Sequence, residues 1–489
     1  MILAVVILYL IFATWLSLYG FQALALSLAY LFHRKPRHNL KPLLEFPDVT
    51  VQLPVFNERY VVERVIDAAA ALDWPRDKLH IQVLDDSTDE TTGLACARAE
   101  QHRALGIDIT VIHRAERTDY KAGALQNGLA GSRSPYIAIF DADFCPAPDF
   151  LKQTIPALVE QPDVAWVQTR WTHFNEGYSA LTQAIALLMD AHFTVEQVVR
   201  DRAGLTMIFN GSAGVWRRRA IDAAGGWQGD TLTEDADLSF RAQMTGWRGR
   251  MLPDVTVPSE MPVQVTALKQ QYFRWSKGGA QTVRKLFIPM AKSRMPLGRK
   301  LTGLFHMSSY LAHPLIILLL VTWLAIIIHP EWIQGVPIAF MSLAMLGLPL
   351  QFLLAQIVLH RGDVWRMIYL PVLLIIGTGM AFNNARGVVQ GLAGRPSEFM
   401  RTPKFRMDGT NAMWKRSAYA LAADPTAFGE AIMAGYAAFM VAAAWKTGNV
   451  SVIPFLLLYT IGFAYVAIGS AMDLRPRKRR PTLRLKADA

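Results

Sequence analysis

The chain has 489 residues, of which 52% are hydrophobic and only 18% charged; that is length for about three average domains, but ordinary soluble chains are about 25% charged. Intrinsic disorder is excluded. So is a disulfide-built secreted scaffold, because the two cysteines, Cys96 and Cys145, give neither a disulfide framework nor a zinc-ligand spacing. A net charge of +11 would suit nucleic acid, but much of it (Arg34, Lys35, Arg37, Lys41, and Arg475 to Arg480) stands beside apolar segments. Basic residues there set membrane topology, so a membrane protein is expected and no nucleic-acid partner.

Residues 2–32 carry no charge, a run too long for a signal-peptide core and long enough to cross ~30 Å of hydrocarbon with some tilt. A transmembrane helix is expected over 1–33, and the basic cluster behind it puts the next segment in the cytoplasm. Residues 45–285 read as a soluble α/β domain. Runs at 49–54, 80–84, 109–112, 136–140 and 164–168 suit buried strands, and 58–72 and 90–105 have helical patterns between them. Asn57 ahead of the first helix, and Ser87 and Asp89 ahead of the second, are expected N-caps.

An interfacial segment is expected at 286–300. Two transmembrane helices follow within 301–360, where 301–328 and 336–359 carry no Asp, Glu, Lys or Arg. Two more fall within 427–472, the first weaker because Glu430 must sit near an interface. Residues 367–385 are uncharged but contain Pro371, Gly377, Gly379, Asn383 and Asn384. A full span there would put Arg401, Lys404, Arg406 and the basic tail at 473–489 outside, against the positive-inside bias. A re-entrant or interfacial segment at 364–395 keeps every basic cluster cytoplasmic, and it is the favoured reading.

Two acidic pairs end predicted strands: Asp85-Asp86-Ser87, and Asp141-Ala142-Asp143. Ligands of open α/β sheets bind at the carboxyl ends of strands. Alternation puts Asp141 and Asp143 on one face, and two such oxygens suit Mg²⁺ or Mn²⁺ held together with substrate phosphates. Turn-forming or capping aspartates are the bland alternative for any one of them. Thr233-Glu234-Asp235 opens a helical pattern; Thr233 or Glu234 could cap it, and a carboxylate there could also take a proton from a sugar hydroxyl. In Gln271-Tyr272-Phe273-Arg274-Trp275, Gln271, Arg274 and Trp275 share a helix face. Arg can grip a diphosphate and Trp can carry a sugar, although an aromatic anchor at the membrane surface has the same spacing.

In order, Val51-Gln52-Leu53-Pro54-Val55-Phe56-Asn57-Glu58, Asp85-Asp86-Ser87, Asp141-Ala142-Asp143, Thr233-Glu234-Asp235 and Gln271-x-x-Arg274-Trp275 resemble the processive, membrane-embedded family 2 glycosyltransferases. The segments 82–89 and 72–75 look most like the cellulose-synthase-like A and C groups and their bacterial relatives. The resemblance covers about residues 45–410. It implies a GT-A α/β domain inserted in an α-helical transmembrane bundle, with the catalytic domain cytoplasmic in an inner or plasma membrane. It further implies that Asp85 and Asp86 contact base and ribose, and that Asp141 and Asp143 form the metal motif, with Asp143 on the metal. Asp235 would be the general base supported by Glu234, with Gln271, Arg274 and Trp275 on diphosphate and acceptor. Lys121 matches a substrate-side basic position, and residues 209–214 an acceptor-side loop. Residues 396–412, with Phe399, Thr402 and Lys404, look like the gating loop that closes over a nucleotide sugar.

The expected activity is inverting, processive synthesis of a β-linked polysaccharide, of β-glucan or mannan/glucomannan type, from UDP-glucose or GDP-mannose. The growing polymer would leave through the bilayer. Transfer of one sugar to a lipid, as in ceramide glucosyltransferases, and a non-catalytic transporter or scaffold are the competing readings. The absence of charges inside most spans argues against a coupled transporter.

Overall fold

The computed structural model describes residues 2–33, 41–333, 338–396, 398–407, 417, 419, 421 and 424–472. The basic residues at 34–37 and 475–480, and 408–412 of the gating-like stretch, lie outside them.

The α/β domain is built on seven strands: β1 (Val49–Val55), β2 (Leu79–Asp85), β3 (Ile109–His113), β4 (Tyr136–Ile139), β5 (Val164–His173), β6 (Gly214–Arg217) and β7 (Arg248–Ser259). Their order across the sheet is β3-β2-β1-β4-β6-β5-β7, and β6 alone runs antiparallel to its neighbours. The first five strands fall within a few residues of their expected places. Strands β6 and β7 were not expected: β6 has four residues, and Pro253 and Pro258 interrupt the pattern of β7. An edge strand tolerates such prolines, and the β5–β7 register shifts between Thr169 and Arg170.

Side chains alternate across the sheet as strand geometry requires. On β4, Ile137 and Ile139 enter the core that holds Leu125, Trp166 and Trp216. Ala138, and Phe140 just beyond the strand, enter the opposite core with Val51, Val83, Ile66 and Ile155. Two of the three expected caps do not form: the Ser87 hydroxyl accepts from the Asn57 amide at 2.9 Å and not from the second helix. Asn57 has φ 53° and accepts from the Thr88 amide at 2.8 Å, tying the end of β1 to the end of β2, and the helix Val62–Ala70 starts without a side-chain cap. Asp89 does accept from the Thr91 amide at 3.0 Å.

Among the described residues, five helices are long and apolar enough to cross a membrane: Leu3–His33, Ser309–Ile328, Phe340–Leu359, Ala427–Lys446 and Val450–Met472. The chain is a multi-pass membrane protein. The helix Leu297–Met307 is separate from the span that follows it: the Ser308 carbonyl and hydroxyl meet the Tyr19 hydroxyl of the first span at the break. Trp365–Gly379 and Ala381–Leu392 form a pair bent by 42°. Its second half lies along the helix Val265–Lys292, which runs past residue 285 and joins the α/β domain to the membrane helices. Gly391 permits this approach, since a Cβ there would stand 2.5 Å from the Lys277 carbonyl oxygen.

Candidate active site

The carboxyl ends of β1, β2 and β4 bring the acidic residues to one side of the sheet. Asp85 is fully buried and internally bonded: its carboxylate accepts from the Ser87 amide (3.0 Å) and Thr92 hydroxyl (2.6 Å) and meets His113 Nδ1 (2.8 Å). Asp86 is gripped from two sides of its carboxylate by Arg114, at 2.7 and 2.6 Å. The Arg114 pairing, invisible in the linear motif, comes from the end of β3.

Asp141 and Asp143 each meet an ammonium group. Lys121 Nζ stands 2.6 Å from Asp141, 3.6 Å from Glu234 and 2.9 Å from the Gly211 carbonyl. Lys404 Nζ stands 2.8 Å from Asp143. The Asp141 amide donates to the Ser212 hydroxyl at 2.9 Å, so the loop after residue 209 is fastened to the end of β4. Among the described residues no three His, Cys, Asp or Glu side chains are grouped to hold a metal. Two hard carboxylate oxygens, each already matched to a cation, are nevertheless the donor set that Mg²⁺ or Mn²⁺ accepts alongside phosphate oxygens.

Glu234 and Asp235 open the helix Glu234–Met244, whose Thr233 makes no side-chain cap. Burial first, then the neighbouring Glu234, push the Asp235 carboxyl up to about 7, while Lys121 opposes the shift. Asp235 Oδ2 would lie 2.8 Å from a Cβ placed on Gly211, which has φ +84°. Only glycine fits there without strain. Burial also pulls Lys121 down, but Asp141, Glu234 and Asp235 outweigh it and leave its pKa raised.

Arg274 reaches the same cluster from the helix Val265–Lys292: Glu234, Asp141, Asp235 and Glu58 all oppose the fall that burial causes in its pKa. It donates to the Met400 carbonyl at 3.0 Å and lies over the Phe399 ring, 4.5 Å from its centroid. Trp275 packs on Tyr272 with centroids 5.2 Å apart, and the Gln271 side chain makes no hydrogen bond among the described residues. The loop carrying Phe399, Thr402 and Lys404 thus covers the site. Arg117 donates to the Phe399 carbonyl at 3.1 Å, and Thr402 is buried with its hydroxyl unpartnered among the described residues.

Glu260, just past the end of β7, was not singled out by its sequence. Its carboxylate accepts from the Phe405 and Met407 amides at 2.7 and 3.0 Å, its carbonyl accepts from Lys404, and its own amide donates to Asp143 at 3.0 Å. One buried residue thus fastens the loop to the acidic pair. Positive φ angles at Asn57, Asp119, Tyr120, Ala213 and Arg406 surround the same place, where strained backbone often accompanies function.

Residues 47–278 match the family described as glycosyltransferase like family 2. This region is a family 2 glycosyltransferase domain. The chain is 41% identical over 288 residues to glucomannan 4-beta-mannosyltransferase 2 of Arabidopsis thaliana, covering 56% of this chain and 54% of that protein. It is 40% identical over 292 residues to glucomannan 4-beta-mannosyltransferase 1 of Oryza sativa subsp. japonica, covering 56% of each. With glucomannan 4-beta-mannosyltransferase 7 of Arabidopsis thaliana the match is 35% over 369 residues, 73% of this chain and 65% of that one. The chain thus spans between half and two thirds of the length of these relatives. A mannosyltransferase from Pyrobaculum calidifontis, solved with GDP-Man and Mn²⁺, shares the GT-A fold at TM-score 0.52 and 21% identity, over 81% of this chain and all of that one.

Proposed function

We propose that the chain is a processive, inverting mannosyltransferase that builds a β-linked mannan, or the mannose units of a glucomannan, from GDP-mannose and passes the polymer through the bilayer. The observation that carries this reading is the half-buried Asp235, raised to about 7, facing Lys121, Glu234 and Asp141 beneath a loop fastened by Glu260. The names of the curated relatives favour mannose over glucose, and UDP-glucose is dropped as the donor.

Asp235, ionised, accepts the proton of the acceptor hydroxyl as its oxygen attacks the anomeric carbon from the face opposite the leaving diphosphate. One substitution at that carbon turns an α-linked donor into a β-linked product. Glu234 keeps Asp235 basic enough to act near neutral pH. Arg274 and Lys121 hold the diphosphate, and Asp86 with its Arg114 partner orients the nucleoside, while Asp85 sets the turn that presents them. Asp141 and Asp143 would hold Mg²⁺ or Mn²⁺, which would offset the charge growing on the leaving diphosphate. Phe399, Thr402 and Lys404 close over the donor, Trp275 and Gln271 meet the acceptor, and the bent pair at 365–392 is re-entrant, which keeps loop and α/β domain on the cytoplasmic side.

The test is to incubate membranes carrying the chain with labelled GDP-mannose and a divalent cation, beside Asp235→Asn. Label in the ethanol-insoluble fraction that is lost in the variant is the expected result. Label confined to the solvent-extractable fraction would make the acceptor a lipid and overturn the polymer reading.

A further inference from the structure

A cavity of about 650 Å³ lies where the first span meets the α/β domain, lined by Lys41, Lys152, Arg202 and Arg250 against one acid, Asp254. It opens on the first half of β7, away from Glu260 at the far end of that strand, and is separate from the acidic site. Three observations bear on what it holds. Arg202 donates to the carbonyl of His33, the last residue of the first span, at 3.0 Å. That span has 31 residues, about 46 Å at 1.5 Å each against ~30 Å of hydrocarbon, so its last turns reach the headgroup layer. Beside the cations, Leu44 is 100% and Phe46 38% exposed, apolar side chains turned outward where acyl chains begin.

The third observation is Arg250. It is 5% exposed, its Nε has no hydrogen-bond partner among the described residues, and Asp201 stands 3.6 Å away, beyond hydrogen-bond reach. A buried guanidinium so incompletely paired is costly unless an anion completes it. Lys152 pairs with Asp73, so three lining cations, Lys41, Arg202 and Arg250, stand against Asp254 and against Asp201 at 3.6 Å from Arg250. We propose that it binds the phosphate headgroup of an anionic membrane lipid, with Lys41, Arg202 and Arg250 as its contacts and Leu43 and Phe46 against the lipid's glycerol and first methylenes.

The test uses the full chain in a zwitterionic detergent and follows thermal unfolding during titration with dioctanoyl phosphatidylglycerol, dioctanoyl phosphatidylcholine or inorganic phosphate. A saturable rise is expected with phosphatidylglycerol alone. Lys41 and Lys152 are exposed, so Lys41→Ala with Lys152→Ala leaves the fold intact and should weaken binding about fivefold, the share of Lys41, because Lys152 is already held by Asp73. Lys446→Ala, elsewhere on the surface, should not change it. Unchanged affinity in the double variant would overturn the proposal, as would equal binding of phosphatidylcholine. An equal, saturable rise with inorganic phosphate would make this a free-anion site and overturn the lipid assignment.

Discussion

Glu234→Gln is the perturbation that separates a working base from a buried carboxylate with a structural task. Asp235 is moved from 3.8 to about 7, about three units, or roughly 4 kcal/mol of preference for the neutral acid. With that value roughly one molecule in ten has the base ionised at pH 6 and nine in ten at pH 8. The specificity constant for donor should then rise about ninefold across that interval and level off above it. Burial is the first cause of the shift and Glu234 the second. Replacing Glu234 by the isosteric Gln removes the like charge and leaves burial in place, so the acidic limb should move to lower pH. The assay is initial-rate incorporation from GDP-mannose at limiting donor between pH 5.5 and 8.5, for wild type and variant. A flat wild-type profile, or a limb that stays put or moves upward in the variant, would refute the assignment of Asp235 as base.

Four further outcomes are expected. Asp235→Asn should abolish incorporation yet raise the melting temperature at pH 8 and not at pH 3.5: a group whose folded pKa lies above its unfolded one loses stability as pH rises from 3.8 through about 7, and Asn avoids that loss. Glu260→Ala removes the acceptor of two loop amides, each worth about 1.5–3 kcal/mol to a charged partner; KM for donor should rise at least tenfold and trypsin should cut sooner at Lys404 and Arg406. Gly211→Ala must adopt a positive φ and meet Asp235 Oδ2, so turnover should fall at least tenfold while folding stability, read from thermal unfolding, falls only by the roughly 1–2 kcal/mol of left-handed backbone. Lys269 and Glu430, both buried, pair at 2.6 Å between the α/β domain's last helix and the fourth span; Lys269→Ala should cost about 3–5 kcal/mol in a thermal-shift assay, and adding Glu430→Leu should recover much of it.

The strands that carry the acidic motifs were legible because burial on both faces makes parallel strands continuous apolar runs, and the run at 79–85 ends where its aspartates begin. What escaped was long-range. Arg114 and Asp86 lie 28 residues apart and Glu260 and Phe405 lie 145 apart, distances at which no local pattern records a partner. Glu260 follows a strand broken by prolines and reads as a loop acid. Asn57 sits where a cap belongs, but its left-handed backbone serves a bridge between strands. The division at residue 285 followed the change in hydropathy, whereas the helix Val265–Lys292 runs through it, because one face packs on the α/β domain while the other meets membrane helices.

The central claim is processive polymerisation from GDP-mannose, and the direct measurement is product length against time with enzyme far below donor. The chain would be purified in nanodiscs, supplied with labelled GDP-mannose and Mn²⁺, and its products sized before and after endo-β-mannanase. Long, mannanase-sensitive chains at the earliest times, growing in number and not in length, are the predicted result. Short products that lengthen together, or a single mannose on a lipid, would contradict it.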